Sequence, residues 1–314
     1  MLRRRHLLAA PVLLAAGKPA QAAEKFTVIL DWLLGANHAA MFAGQYGGAF
    51  AKAGLDVKLV APSDPDSPGR LVAAEQADLA VSYGSQINML VSAGLPLLRI
   101  ATLIDRPLNT IMALGGRGIS KLSDLRGKTL GISVGGVEEA MLDTMLQAVG
   151  VQPSEATVVK VNYNMVTALV TRRLDAAIGA FRNSEVLQVL EMNLQPVVFL
   201  PEDYGVPLYD ELILVCRRDR RNDPRMARFV EALRIATAQL LAAPAPMYAA
   251  FAAAHPEQGT AFGAASWNAT IPAIPADPGR LDKARYLAFQ AFAMRHGIVR
   301  SSMKLDEFAA QLAA

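Results

Sequence analysis

An α/β architecture of two lobes facing one another across a cleft is predicted by three features of the 314-residue chain. Short β-branched runs alternate with longer helical patterns, the order that builds largely parallel sheets covered by helices. A helix–strand–helix–strand stretch occurs twice. Once an N-terminal leader is set aside, the remaining length suits two modest domains, each with its own core.

The first strand is FTVIL (26–30), followed by a helix over 39–53. DVKLV (56–60), LAVSY (79–83) and LLRIATL (97–103) are further strands. A second set comprises IMAL (111–114), TLGIS (129–133), TVVKV (157–161), AAIGAF (176–181) and VVFL (197–200). ELILVC (211–216) then returns as a strand, and from Asp223 onward the chain is helical and rich in alanine. The internal echo pairs AGLDVKLV…LVAAEQADLAVSY with VGVQPSEATVVKV…ALVTRRLDAAIGAF, with Asp78 and Asp175 equivalent just before the last strand of each copy. Two such copies predict two lobes with a crevice between them.

Arg3, Arg4 and Arg5 precede an apolar run from Leu7 to Ala16, and Ala20-Gln21-Ala22 supplies a small-x-small site. That is the build of a secretory signal peptide over 1–22, too short to span a bilayer as a mature helix. Arg4-Arg5 is also compatible with a twin-arginine signal. Cleavage after Ala22 removes four basic residues and no acid, so the net charge of +3 becomes −1. The pI of 9.0 thus belongs largely to the leader, and no basic stripe for nucleic acid remains. Cys216 is the single cysteine, so no internal disulfide is possible and no lipid-bearing cysteine follows the leader. Within ELILVC it reads as a buried strand residue. A freely diffusing periplasmic monomer, without membrane insertion, is expected.

In open α/β sheets ligands lie beyond the carboxyl ends of the strands. Those ends offer Asp31 and Trp32, Ser82 and Tyr83, and Asn109 at the first crossing between lobes. On the second lobe they offer Glu138 after Gly135-Gly136, then Phe181, Asn183 and Glu185; Tyr204 begins the return crossing. The set is rich in aromatics, amides and carboxylates and has no clustered Lys or Arg. Glu139, in a first helical turn, complements the helix dipole. His38, His255 and His296 have no metal spacing. There is no GxSxG, no GxxxxGK[ST] and no GxGxxG after a strand. Binding is therefore expected over catalysis, with no cofactor and no metal.

SDLRGKTLGI (123–132) resembles the second-lobe opening of periplasmic solute-binding proteins for sulfonates and nitrate. Asp31-Trp32 with Asn37-His38, ADLAVSY (77–83), RPLN (106–109), Asn183 with Glu185, and DYGVPLYDEL (203–212) resemble the subfamily that binds thiamine pyrimidine precursors. The resemblance covers nearly the whole mature chain. It implies a type II periplasmic-binding-protein fold with a ligand cleft at a two-strand hinge, lobe 1 being 23–108 plus 204–314 and lobe 2 being 109–203. It implies an ABC permease and its ATPase as partners, and a formylated aminopyrimidine as ligand. Fungal relatives are pyridoxal-phosphate-using pyrimidine synthases with a cysteine-rich motif that the lone Cys216 cannot reproduce. The D-W-x-P-N loop usual in the subfamily reads Asp31-Trp32-Leu33-Leu34-Gly35 here.

A small heteroaromatic ligand needs flat faces and a polar edge. Trp32, Tyr83 and Phe181 are the expected faces. Glu185 is the first choice for the edge and Glu138 the second, with Asn109 and Asn183 fixing the remaining polar groups. Glu211 is expected on a lobe surface or docking face. His38 either bonds the ligand or caps the helix near Ala39. Riboflavin, a sulfonate, taurine or nitrate remain alternative ligands, and a pyridoxal-phosphate-using synthase the alternative of another class.

Overall fold

The computed structural model describes residues 22–312; the expected leader lies, but for Ala22, outside the described residues. Ten strands form two five-stranded sheets. The first contains β1 (Glu24–Ile29), β2 (Leu55–Val60), β3 (Leu79–Tyr83), β4 (Leu97–Ile104) and β10 (Leu212–Arg217). The second contains β5 (Asn109–Leu114), β6 (Thr129–Ile132), β7 (Thr157–Lys160), β8 (Ala176–Phe181) and β9 (Pro196–Phe199). Every predicted strand is present, with ends displaced by no more than two residues.

The orders are β2-β1-β3-β10-β4 and β7-β6-β8-β5-β9. In each sheet three strands run parallel, β1 with β2 and β3, β6 with β7 and β8. The fourth place is taken by the strand that has just crossed from the other lobe, antiparallel to both its neighbours. The chain thus passes between the sheets twice, over 105–108 and over 200–211.

The echo holds at the level of single atoms. Asp78 Oδ2 accepts from the backbone N–H of Thr27 at 2.8 Å, and Asp175 Oδ2 accepts from that of Thr129 at 2.8 Å. In return the N–H groups of Asp78 and Asp175 donate to the carbonyls of Thr27 and Thr129. Each aspartate closes the start of its parallel pair, where a strand N–H would otherwise lack an acceptor.

The helices are α1 (Ala39–Tyr46), α2 (Ala49–Lys52), α3 (Pro68–Ala73), α4 (Ile87–Ser92), α5 (Val137–Ala148), α6 (Met165–Val170) and α7 (Glu185–Glu191). After β10 follow α8 (Pro224–Ala242), α9 (Pro244–Ala254), α10 (Ala261–Thr270) and α11 (Lys283–Arg295). The single helix expected over 39–53 is two. Gly48 adopts φ +75°, a left-handed conformation that ends α1 and reorients the chain for α2. Among the described residues no single helix is long and apolar enough to cross a membrane. The helices α8 and α9 pack on α1, and α10 reaches across to α7.

The return crossing is anchored to the first lobe. Asp210, buried, accepts from Thr102 Oγ1 at 2.7 Å, Tyr286 O–H at 3.0 Å and Arg285 Nη1 at 2.5 Å. Arg99, fully buried, donates to Thr102 Oγ1 and to the Arg280 and Ala310 carbonyls. Cys216 is buried on β10, and burial pushes its thiol up to about 12, which makes it unreactive.

Candidate functional site

Between the lobes, at the carboxyl ends of the strands, lies a cavity of about 310 Å³. Its first-lobe wall is a closed polar triad. Asp31, buried directly after β1, accepts from Tyr83 O–H at 3.0 Å on one oxygen and meets His38 Nε2 at 2.9 Å on the other. Burial and the charges of Asp31, Glu138 and Glu211 hold the Tyr83 phenol well above its ordinary range, so it stays a donor. His38 makes no helix-capping bond; its ring belongs to this triad.

The second-lobe wall is built differently. Glu138, at the start of α5, accepts on Oε2 from the backbone N–H groups of Ser133 (2.7 Å) and Val134 (3.1 Å), just beyond β6. Glu139, one residue on, turns back to the N–H of Gly136 as expected of a first-turn acid. Glu185, first residue of α7, accepts from Phe181 N–H at 2.9 Å on one oxygen and from Ser184 Oγ at 3.3 Å on the other. Burial raises both carboxyls, Glu138 to about 8, against the backbone donors that favour their charged forms.

At the hinge stands Glu211. The expectation of a surface or docking residue is overturned: Glu211 is 1% exposed and lines the cavity. Its Oε2 accepts from the N–H groups of Leu108 (2.6 Å) and Asn109 (2.9 Å) and from Tyr209 O–H (3.2 Å). One carboxyl on the return crossing thereby ties down the outgoing one. Burial raises it to about 7. The first-crossing Asn109 accepts from Gly179 N–H at 2.9 Å through Oδ1 and lines the cavity.

Asp31, Trp32, Asn37, His38, Tyr83, Asn109, Glu138, Phe181 and Glu185 line the cavity. Ser82, Asn183 and Tyr204 do not. Adjacent strand residues point to opposite faces, so Tyr83 reaches the cavity while Ser82 is buried behind it, its hydroxyl without a protein partner. Asn183 instead joins the lobes: its Nδ2 donates to Asn37 Oδ1 and Thr270 Oγ1, both at 2.7 Å. Tyr204 lies in a short 3₁₀ turn, edge-on to Phe199.

Sequence reasoning missed Tyr163, whose ring sits 4.4 Å from that of Trp32 across the cleft. It follows β7 as Trp32 follows β1, so the strand-end rule could have found it. Phe251, Phe262 and Ser266 also line the cavity; they come from the alanine-rich helices, where nothing local marks them. Further contacts bridge the lobes. Asp66 takes Gly135 N–H (3.2 Å) and Lys160 Nζ, Tyr163 O–H donates to the Pro62 carbonyl (2.9 Å), and Thr144 Oγ1 meets His296 Nδ1 (3.2 Å).

The lining thus offers four carboxyl groups, aromatic rings and amides, and among the described residues it contains no Lys or Arg. No group of three or more His, Cys, Asp or Glu among the described residues is placed to hold a metal ion. Such a wall suits an uncharged or weakly basic ring with hydrogen-bond donors on its edge.

Residues 35–246 match the family described as NMT1/THI5 like. A Haemophilus influenzae protein named for thiamine biosynthesis is 39% identical over 94% of both chains. The formylaminopyrimidine-binding protein of Halalkalibacterium halodurans is 34% identical over 62% of this chain and 59% of that one. A Saccharomyces cerevisiae 4-amino-5-hydroxymethyl-2-methylpyrimidine phosphate synthase is 24% identical over 70% of this chain and 68% of that one. In fold, the chain is similar to the alkanesulfonate-binding protein of Xanthomonas axonopodis pv. citri, with a TM-score of 0.72 at 14% identity over 94% of this chain and 99% of that one. The chain belongs to the NMT1/THI5-like family.

Proposed function

We propose that this member of the NMT1/THI5-like family is an exported binding protein that captures a formylaminopyrimidine-type precursor of thiamine and presents it to an ABC importer. The observation that carries the reading is the cavity lining, with aromatic rings from both lobes, four carboxyls and no Lys or Arg among the described residues. Its volume of about 310 Å³ lies at the small end of ligand pockets, roughly 300–1,000 Å³. That favours a single substituted ring over the tricycle and ribityl chain of riboflavin. A sulfonate or nitrate would require cationic partners that this lining does not supply.

Export to the periplasm rests on the leader, and the importer on the kinship with binding proteins. The units proposed to move are 23–108 with 204–314, and 109–203. A ligand touching both would favour the closed form by its contacts with the second wall.

The synthase reading is weaker. Pyridoxal phosphate would need an amine for its aldehyde and a cation or open backbone nest for its phosphate; among the described residues the lining has no lysine or arginine, and Glu138 already occupies the loop N–H groups beyond β6. The residues present do not fit that group. Calorimetric titration of the purified protein with a synthetic formylaminopyrimidine should give tight one-to-one binding. Absence of binding, or tighter binding of taurine or an alkanesulfonate, would reject the proposal.

A further inference from the structure

Resting on the reading just given, we propose that Glu138 and Glu211 form a single recognition pair that shares one proton, so that capture of an aminopyrimidine edge is coupled to proton uptake in mildly alkaline solution.

The geometry sets where that proton sits. Glu138 Oε2 takes two backbone N–H groups, and Glu211 Oε2 takes two backbone N–H groups and a phenol. Oxygens so engaged are acceptors only, so a proton on either group resides on Oε1. Among the described residues no donor reaches either Oε1, and neither atom is a sealed, unpartnered one. Both residues line the one cavity. Glu138 Oε1 lies over Gly179, where a Cβ would come within 2.6 Å of it. The glycine keeps that oxygen's place open.

The edge of a 4-aminopyrimidine presents a donor, the amine, beside an acceptor, the ring nitrogen. A carboxylate only accepts. Two ionised carboxylates would therefore leave the ring nitrogen facing a lone pair, an unmade bond in a buried site. One proton resolves this: Glu138 Oε1–H donates to the ring nitrogen and Glu211 Oε1 accepts from the amine. Asn109, whose backbone N–H donates to Glu211, offers its side-chain amide to a carbonyl such as a formyl oxygen. The charged and titratable groups around the pair are Asp31, His38 and Tyr83 on the first lobe, Glu139 and Glu185 on the second, and Arg182 and Tyr209 near Glu211. Carboxyls outnumber cations there, and with burial they hold Glu138 up to about 8 and Glu211 up to about 7.

The test is calorimetry of the full chain with a synthetic 4-amino-5-(formylaminomethyl)pyrimidine, in buffers of differing ionisation enthalpy. Net proton release of about 0.7 at pH 6.5, where Glu211 must ionise, turning to uptake approaching one at pH 9 is expected, with affinity falling about fivefold from pH 7 to pH 9. In Glu138→Gln the amide supplies the donor permanently, so the fall in affinity above pH 7 and the uptake at pH 9 disappear, whereas Glu138→Ala loses about tenfold or more. Wild-type binding without proton exchange, or a Glu138→Gln variant that keeps the wild-type slope, overturns the pair. Infrared spectroscopy of the protein without ligand separates this from the functional reading. A carboxylic-acid carbonyl band at pH 7 that is lost in Glu138→Gln supports the pair even if no pyrimidine binds; its absence from the wild type overturns it. The wild-type arms decide even if neither variant folds.

Discussion

The two lobes repeat one topology but treat the carboxyl that fills the loop after β1 and after β6, Asp31 and Glu138, in opposite ways. In the first lobe Asp31 is saturated by side chains, with Tyr83 on one oxygen and His38 on the other. In the second lobe Glu138 is held by backbone N–H groups on a single oxygen, and the other stays open. The first wall is therefore a finished surface that a ligand can lie against, while the second still has hydrogen bonds to give. The difference teaches how a duplicated scaffold becomes a directional site. The loop after β1 and its counterpart after β6 fix the backbone, and the side chain that fills the loop decides whether the wall is inert or receptive.

The sharpest way to break this comparison is Asp31→Ala. It leaves the Tyr83 hydroxyl and His38 Nε2 buried without their partner, and a loss of about 3 kcal/mol is expected in urea denaturation, from roughly 1–3 kcal/mol per orphaned group. A loss below 1 kcal/mol would show that the first wall is not held by this triad. The echo itself is tested by Asp175→Ala and Asp78→Ala, each of which removes the acceptor of a strand N–H and should cost about 1–3 kcal/mol. Asp78 also pairs with Arg225 at 3.0 Å in a partly exposed position, so its replacement should cost more by no more than about 1 kcal/mol. Markedly unequal losses would mean the two aspartates are not equivalent.

The open carboxyl of the second wall sharpens the contrast through pH. An acid whose folded pKa lies above its unfolded value binds more protons folded than unfolded, so stability falls as pH rises between the two values. For Glu138 that window runs from 4.5 to about 8. Thermal unfolding of Glu138→Gln should decline less across this window than the wild type, and the curves should run parallel above it. A wild-type profile that rises over the same range would contradict the buried acid. The smallest effect belongs to the rim. Lys160→Met removes the partly exposed pair with Asp66 and should change stability by less than about 1 kcal/mol, vanishing at high salt. Small-angle scattering should nonetheless register a more open average, because the pair joins the lobes.

Much of this arrangement was legible before any coordinates. Alternation of β-branched runs with helical patterns placed all ten strands, because strand burial is a local matter of residue type and period. The equivalence of Asp78 and Asp175 was visible because a duplicated unit repeats its local solutions. The strand-end rule located most of the cavity wall, including Asp31, Tyr83, Glu138 and Phe181. It could not separate Tyr83 from Ser82, since that depends on which sheet face is turned to the cleft. It assigned Asn183 to a ligand when the residue bridges the lobes, and it put Glu211 on a surface when the residue clamps the hinge.

Those failures share one cause. The chain determines by itself which segments become strands, where they end, and which side chains are offered there, because each of these follows from neighbours close in sequence. Which oxygen of a carboxylate is already taken, and which is left open, depends on backbone donors brought from elsewhere. Glu211 meets the N–H groups of Leu108 and Asn109 from about a hundred residues away, and Asn183 meets Thr270 across 87 positions. Burial of an ionisable group is likewise a property of everything packed around it, so the raised carboxyls of Glu138 and Glu211 follow from tertiary packing and not from their own segments.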